Sequence, residues 1–182
     1  DAVIIESLIA LDDCFSGYSH EGVPDIRIIV FRGYPVMAML RLATRASDGK
    51  ANLHQGAVGL GLALDSGRCL RAVQFGQPIT AHPDTGRPLS DISITGWRDI
   101  LLLAARCYEM TNLGYIGTDL VLDKHLGPQL LELNARPGLA IQMANGQGLL
   151  PRLRHVESLQ GDRRHTAAQR VDHSMAQFAP TV

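Results

Sequence analysis

The chain has 182 residues, 46% hydrophobic and 19% charged, with a formal net charge of −1. These values predict a globular protein with a sizeable core, as one large domain or two small lobes, and exclude a disordered chain. Near-neutral charge argues against a general nucleic-acid surface, and no apolar run approaches the length of a membrane-spanning helix.

The sequence opens without Met on Ala2-Val3-Ile4-Ile5-Glu6-Ser7-Leu8-Ile9, which reads as a buried strand and suggests the C-terminal part of a longer protein. Residues 11–24 form a polar loop. Residues 26–31 and 36–42 read as two apolar strands joined by Arg32-Gly33-Tyr34-Pro35, a hairpin signal. A polar loop over residues 43–50 precedes a second hairpin, residues 57–64 and 69–75, turning at Asp65-Ser66-Gly67. Residues 76–90 carry three prolines and read as a long loop. Residues 95–111 are the clearest helix: Trp97, Ile100, Leu101, Ala104, Ala105 and Tyr108 recur at three- and four-residue spacing, and Gly114 stops it. Short helices are expected at 140–145 and 151–160, the second opened by Pro151. From residue 161 the chain is polar and reads as a frayed or weakly helical tail. Antiparallel strands and helices in separate runs predict an α+β fold with a mostly antiparallel sheet and flanking helices.

The most informative stretch runs from Gly117-Thr118-Asp119 to Glu132-Leu133-Asn134-Ala135-Arg136-Pro137-Gly138. Glu132 and Asn134 are two apart and share a face of a strand. Asp119, on the strand before a turn at residues 124–128, can pair nearly opposite them. Two carboxylates and an amide oxygen suit a hard cation such as magnesium, with phosphate and water completing the shell. The alternative is a surface hairpin whose polar side chains face water.

Arg27 and Arg41 fall almost opposite each other on one face if the first hairpin turns between Gly33 and Tyr34. Like charges across a ladder repel, so the pair makes sense with an anion between them, such as a triphosphate. A slipped register would instead turn one arginine to solvent. Asn52 and His54, in Asn52-Leu53-His54-Gln55-Gly56, could orient phosphate or substrate from a strand edge; a structural histidine is the other reading. Arginine dominates the basic residues, with lysine only at 50 and 124. This suits bidentate phosphate recognition, although a coding bias gives the same skew. Cys14, Cys69 and Cys107 form neither a metal motif nor an even disulfide framework, which predicts a reduced, cytoplasmic protein. Neither a nucleophile elbow nor an HExxH motif is present, so serine and zinc hydrolysis gain no support.

In order and spacing these motifs, from Glu6 through Asp25-Ile26-Arg27 and Asn52-Leu53-His54-Gln55-Gly56 to Asp119 and Glu132–Gly138, resemble the ATP-grasp superfamily over residues 2–160. Within it the chain is similar to RimK-type proteins and to the alpha-L-glutamate ligase-like, sugar-transfer-associated group. The resemblance implies an ATP-grasp C-terminal lobe over residues 1–160, followed by the 161–182 tail, with the first ATP-binding lobe lying outside this sequence. It implies adenine binding through the backbone of Glu6, Ser7, Leu8 and Ile9. Phosphate and acyl phosphate would meet Arg27, with Arg41 in support. Magnesium (or manganese) would be held by Asp119, Glu132 and Asn134, and the acceptor carboxylate or its phosphate would meet Arg136.

The implied activity is ATP-dependent carboxylate–amine ligation through an acyl phosphate, inactive in this fragment alone. Its partners would be small or peptide carboxylates and amines, with no nucleic acid or membrane; a homo-oligomer stays open. A kinase acting on a hydroxyl and a non-catalytic nucleotide-binding module are the alternatives. The glycine-rich flap and phosphate lysines of the family are not in this sequence, and Arg136 stands where RimK proteins usually carry a small residue.

Overall fold

A computed structural model describes residues 3, 7–159 and 165–180. Among the described residues seven strands form one antiparallel sheet: β1 (Asp25–Phe31), β2 (Tyr34–Leu42), β3 (Val58–Leu62), β4 (Cys69–Gln74), β5 (Gln77–Ile79), β6 (Tyr115–Asp123) and β7 (Gly127–Asn134). Their spatial order is β5-β4-β3-β2-β1-β6-β7. With four α-helices this is the expected α+β fold. β1 and β2 are joined by Arg32 and Gly33, both at positive φ (49° and 83°), as a two-residue hairpin turn demands.

The two faces of the sheet differ. Ile26, Leu40, Leu60 and Leu120 are register partners along one row, all fully buried. They form the core with helix α1 (Trp97–Thr111), whose Trp97 indole donates to Leu64 O at 2.9 Å. Arg27, Arg41 and Asp119 belong to the alternate rows and so face the other side. Helix α2 (Ile141–Asn145) covers one half of that second face, and the close approach fixes Gly61: a Cβ there would lie 2.5 Å from Ala144 O. Gly117 is fixed in the same way by the loop after β7, since its Cβ would lie 2.6 Å from Pro137. The β1–β6–β7 half keeps its charged side chains uncovered by any helix.

Three expectations are corrected here. Residues 2–9 were expected as a buried strand, yet Ser7 to Ile9 belong to no strand, Val3 is 83% exposed and Leu8 95%. A strand needs a neighbour, and among the described residues of this segment the first bonds to the sheet are made by Ala10, where the Asp123 carboxylate accepts from Ala10 N at 2.8 Å and Lys124 N donates to Ala10 O at 2.7 Å. The N–H groups of His125, Leu126 and Ala10 together hold the Asp123 carboxyl below its ordinary range.

Residues 76–90 are not all loop, since β5 pairs with β4 and a 3-10 turn follows at Leu89–Asp91. Pro78 is tolerated because β5 is an edge strand. The polar tail forms helix α4 (Ala167–Gln177), opened by a Thr166–Gln169 capping box and packed on α1 and β2. Its buried face is Arg170, Val171 and Ser174, a stripe too polar for hydropathy to reveal. Arg170 donates to Gly33 O at 2.9 Å and to Glu109. Helix α3 (Leu150–Ser158) lies near its expected place. Among the described residues no helix is long and apolar enough to cross a membrane.

Candidate functional site

The centre of the open face is a knot of four charges on three strands. Arg27 on β1 is the register partner of Asp119 on β6, and their side chains meet fork to fork: Nε to Oδ1 at 2.7 Å and Nη2 to Oδ2 at 2.5 Å. Arg41 on β2 is the partner of Asp25 on β1; its Nε reaches Asp25 Oδ1 at 2.5 Å and its Nη2 reaches Asp119 Oδ2 at 2.9 Å. All four side chains are 5–12% exposed. Two guanidiniums face two carboxylates, so the knot carries no formal net charge.

This corrects the expected pairing of the arginines. Arg27 lies opposite Met39 and Arg41 opposite Asp25, two residues from the anticipated register, because the turn falls at Arg32 and Gly33, and the one-residue shift between Ile29 and Val30 only partly offsets this. A shift of two keeps both arginines on one face. The anion between them is Asp119 of the chain itself.

Burial, opposed by Arg41 and reinforced by Asp119, raises the Asp25 carboxyl from 3.8 to about 6. Burial pulls the Arg41 guanidinium down, but Asp25 and Asp119 more than offset it and leave it above its ordinary value. Asp25 therefore gives stability that is fully present below its unfolded value and is lost as pH rises through about 6. Unfolding free energy measured from about pH 4 to about pH 7 should fall in the wild type relative to Asp25→Asn, by at most about 3 kcal/mol. Parallel curves would show that Asp25 ionises normally.

The acidic hairpin presents its donors to the same face. Asp119 pairs with Glu132 and Gly117 with Asn134 across β6 and β7, with a bulge following Asp119. Glu132 is exposed and has no hydrogen-bond or ion partner among the described residues. Asn134 Oδ1 accepts from Arg136 N at 2.9 Å, while the Arg136 residue is itself exposed. Among the described residues no group of three His, Cys, Asp or Glu could hold a metal ion. The oxygen set that remains is two carboxylates and one amide. Asp119 accepts three hydrogen bonds from the arginines, and a carboxylate offers about four lone-pair sites, so one on Oδ1 is left. This chemistry fits a hard divalent cation that takes further oxygens from water or phosphate.

Asn52 and His54 lie on a 3-10 turn (Leu53–Gln55), not on a strand edge as expected. Asn52 caps it, accepting from His54 N at 3.0 Å, and both residues are exposed. Ser7, Leu8 and Ile9 belong to no strand or helix, the first two exposed and Ile9 half-buried, and Glu6 lies outside the described residues. Sequence reasoning missed Asp25. Its signal was there: an acid two residues before Arg27 in an otherwise apolar strand shares a face with that arginine.

The fold and this face define a class of structure, an α+β lobe with a charged knot on one face of its antiparallel sheet. A family model described as sugar-transfer associated ATP-grasp matches residues 1–158, and the chain belongs to that family. One solved structure, of the ATP-grasp ligase PsnB complexed with minimal precursor, is similar over 87% of this chain and 35% of its own, at 12% identity and a TM-score of 0.36. The chain thus spans about a third of that protein's length. Comparison with curated proteins found no match.

Proposed function

We propose that this chain supplies the catalytic face of an ATP-dependent carboxylate–amine ligase of glutamate-ligase, RimK-like type. The observation that carries the reading is the Arg27–Asp119–Arg41–Asp25 knot beside Glu132 and Asn134, on a face that no helix covers. In the reaction a substrate carboxylate oxygen attacks the γ-phosphorus of ATP and ADP leaves. An amine nitrogen then attacks the acyl carbon, phosphate departs, and the amine gives up a proton as the amide forms. No nucleophilic side chain is needed; the demand is for charge neutralisation and in-line positioning.

The residues suit that demand. Arg27 engages Asp119 through Nε and Nη2, which leaves its Nη1 donors for phosphate oxygens. Arg41 holds Asp119 in place and links it to Asp25. Asp119, Glu132 and Asn134 would hold magnesium or manganese, which when bound would neutralise phosphate charge. Ser7 to Ile9 and the neighbouring Glu6 would meet adenine, Arg136 the acceptor, and Asn52 and His54 the substrate side. Three unpaired thiols support a reducing, cytoplasmic setting; burial lifts Cys14 to about 12, which keeps it an unreactive thiol.

The test is ADP release by the full-length protein from Mg·ATP with a panel of acids and amines. Arg27→Ala should lower kcat on the order of 10²-fold or more, as loss of a transition-state donor does. A near wild-type rate would place Arg27 outside the reaction. A stable phosphate ester in place of an amide product would make the enzyme a kinase.

A further inference from the structure

An open cleft of about 220 Å³ lies on the same sheet face, on the far side of the knot from β7. Val73 forms its floor, and Leu53, His54, Phe75, Gly76 and Met143 form its walls. The placement follows from register. Arg41 pairs with Gly59 and Gly59 with Val73, so all three point to one side. Gly59 carries no side chain there, and Leu53 fills its space from above. Three strand spacings separate β1, over which the guanidiniums lie, from Val73 on β4, roughly 14 Å.

The chain gives up local comfort to build this wall. Gln74 pairs with Gln77, so Phe75 and Gly76 are the two residues of a hairpin turn, with φ of 51° and 75°. Such turns favour Asn, Asp or Gly at the first position, and a bulky aromatic at positive φ is an outlier. Phe75 gains little burial in return, remaining 64% exposed while its ring leans over Gly56. Met143, on α2 across the cleft, is 49% exposed. Residues that break a local rule without stabilising the fold mark functional sites.

We infer that the cleft holds the apolar side chain of a peptide-like carboxylate whose free carboxyl end lies against Arg27 and Arg41. This rests on the ligase reading and names the substrate class for that site. Asp25 and Asp119 take the Nε and Nη2 donors of the two arginines, and the Nη1 donors that are left suit a carboxylate oxygen. The aromatic ring, thioether and aliphatic walls suit an apolar group. The span between them matches an extended tripeptide at 3.3–3.6 Å per residue, plus its terminal side chain.

The test uses full-length protein labelled at methionine methyls, titrated with Leu-Gly-Gly, Phe-Gly-Gly and Gly-Gly-Gly, with ADP release followed in parallel. The first two peptides should shift the Met143 methyl resonance and bind at least tenfold more tightly than Gly-Gly-Gly, the discrimination a small apolar pocket gives. Phe75→Asn, whose side chain suits the turn and spares the fold, should abolish that preference and leave Mg·ATP binding unchanged. Equal binding of all three peptides, or a Met143 resonance none of them moves, would overturn the inference. ADP release without side-chain preference would remove the cleft's role and leave the ligase reading standing. Met143 shifts with no ADP release from any acid and amine would remove the ligase and leave an apolar peptide site.

Discussion

Replacing Asp119 by Ala should destabilise the protein by about 3–5 kcal/mol, the cost of leaving buried guanidiniums without their carboxylate. Arg27 loses both of its hydrogen bonds, each to Asp119, and Arg41 one of two. With side chains only 12% exposed, neither arginine can recover full hydration without moving. Asp119→Asn, which keeps shape and one acceptor oxygen, should fall between wild type and Asp119→Ala. Denaturant unfolding at constant m-value is the measurement. A loss under about 1 kcal/mol for Asp119→Ala would mean that the arginines swing into water and the knot is loose.

Glu132→Ala and Asn134→Ala should do the reverse, lowering magnesium-dependent turnover by 10²-fold or more while costing no more than about 0.5 kcal/mol of stability for Glu132 and about 1 kcal/mol for Asn134, whose Oδ1 accepts from Arg136 N. Glu132 sits exposed on the edge strand β7 without a partner among the described residues, so the fold gains little from it. The experiment is Mg·ATP titration and single-turnover ADP formation with the full-length protein. Unchanged affinity and rate in both variants would defeat the metal assignment. Those outcomes would separate the roles of neighbouring acids, assigning Asp119 to the fold as well as the proposed site and Glu132 to the site alone.

Much of the architecture was legible in the sequence because periodicity and turn chemistry agree locally. The α1 pattern from Trp97 to Tyr108 and the Asp65-Ser66-Gly67 turn between β3 and β4 are cases where a few neighbouring residues decide the outcome. The Asp119–Glu132 pairing was legible for the same reason: the two strands form one hairpin, and the short turn limits the registers available.

What escaped depends on contacts distant in sequence. No local signal marks the shift at Ile29 and Val30, and that shift sets Arg27 opposite Met39. The carboxylate between the arginines comes from β6, 92 residues after Arg27. Helix α4 has a polar composition, and its buried face exists only because Glu109 and Gly33 wait to receive Arg170. The Ala2–Ile9 segment shows the opposite failure. Its apolar run satisfied a strand template, but nothing in the described sheet pairs with Ser7 to Ile9.

The Asp123 clasp bears on how force travels through the molecule. A single side chain gathers amides from the incoming segment and from the bend at the end of β6, so these cannot slide past one another without surrendering several bonds together. Ala10 is thereby tied to the same carboxylate that shapes the turn from β6 into β7, the hairpin on which Asp119 and Glu132 lie.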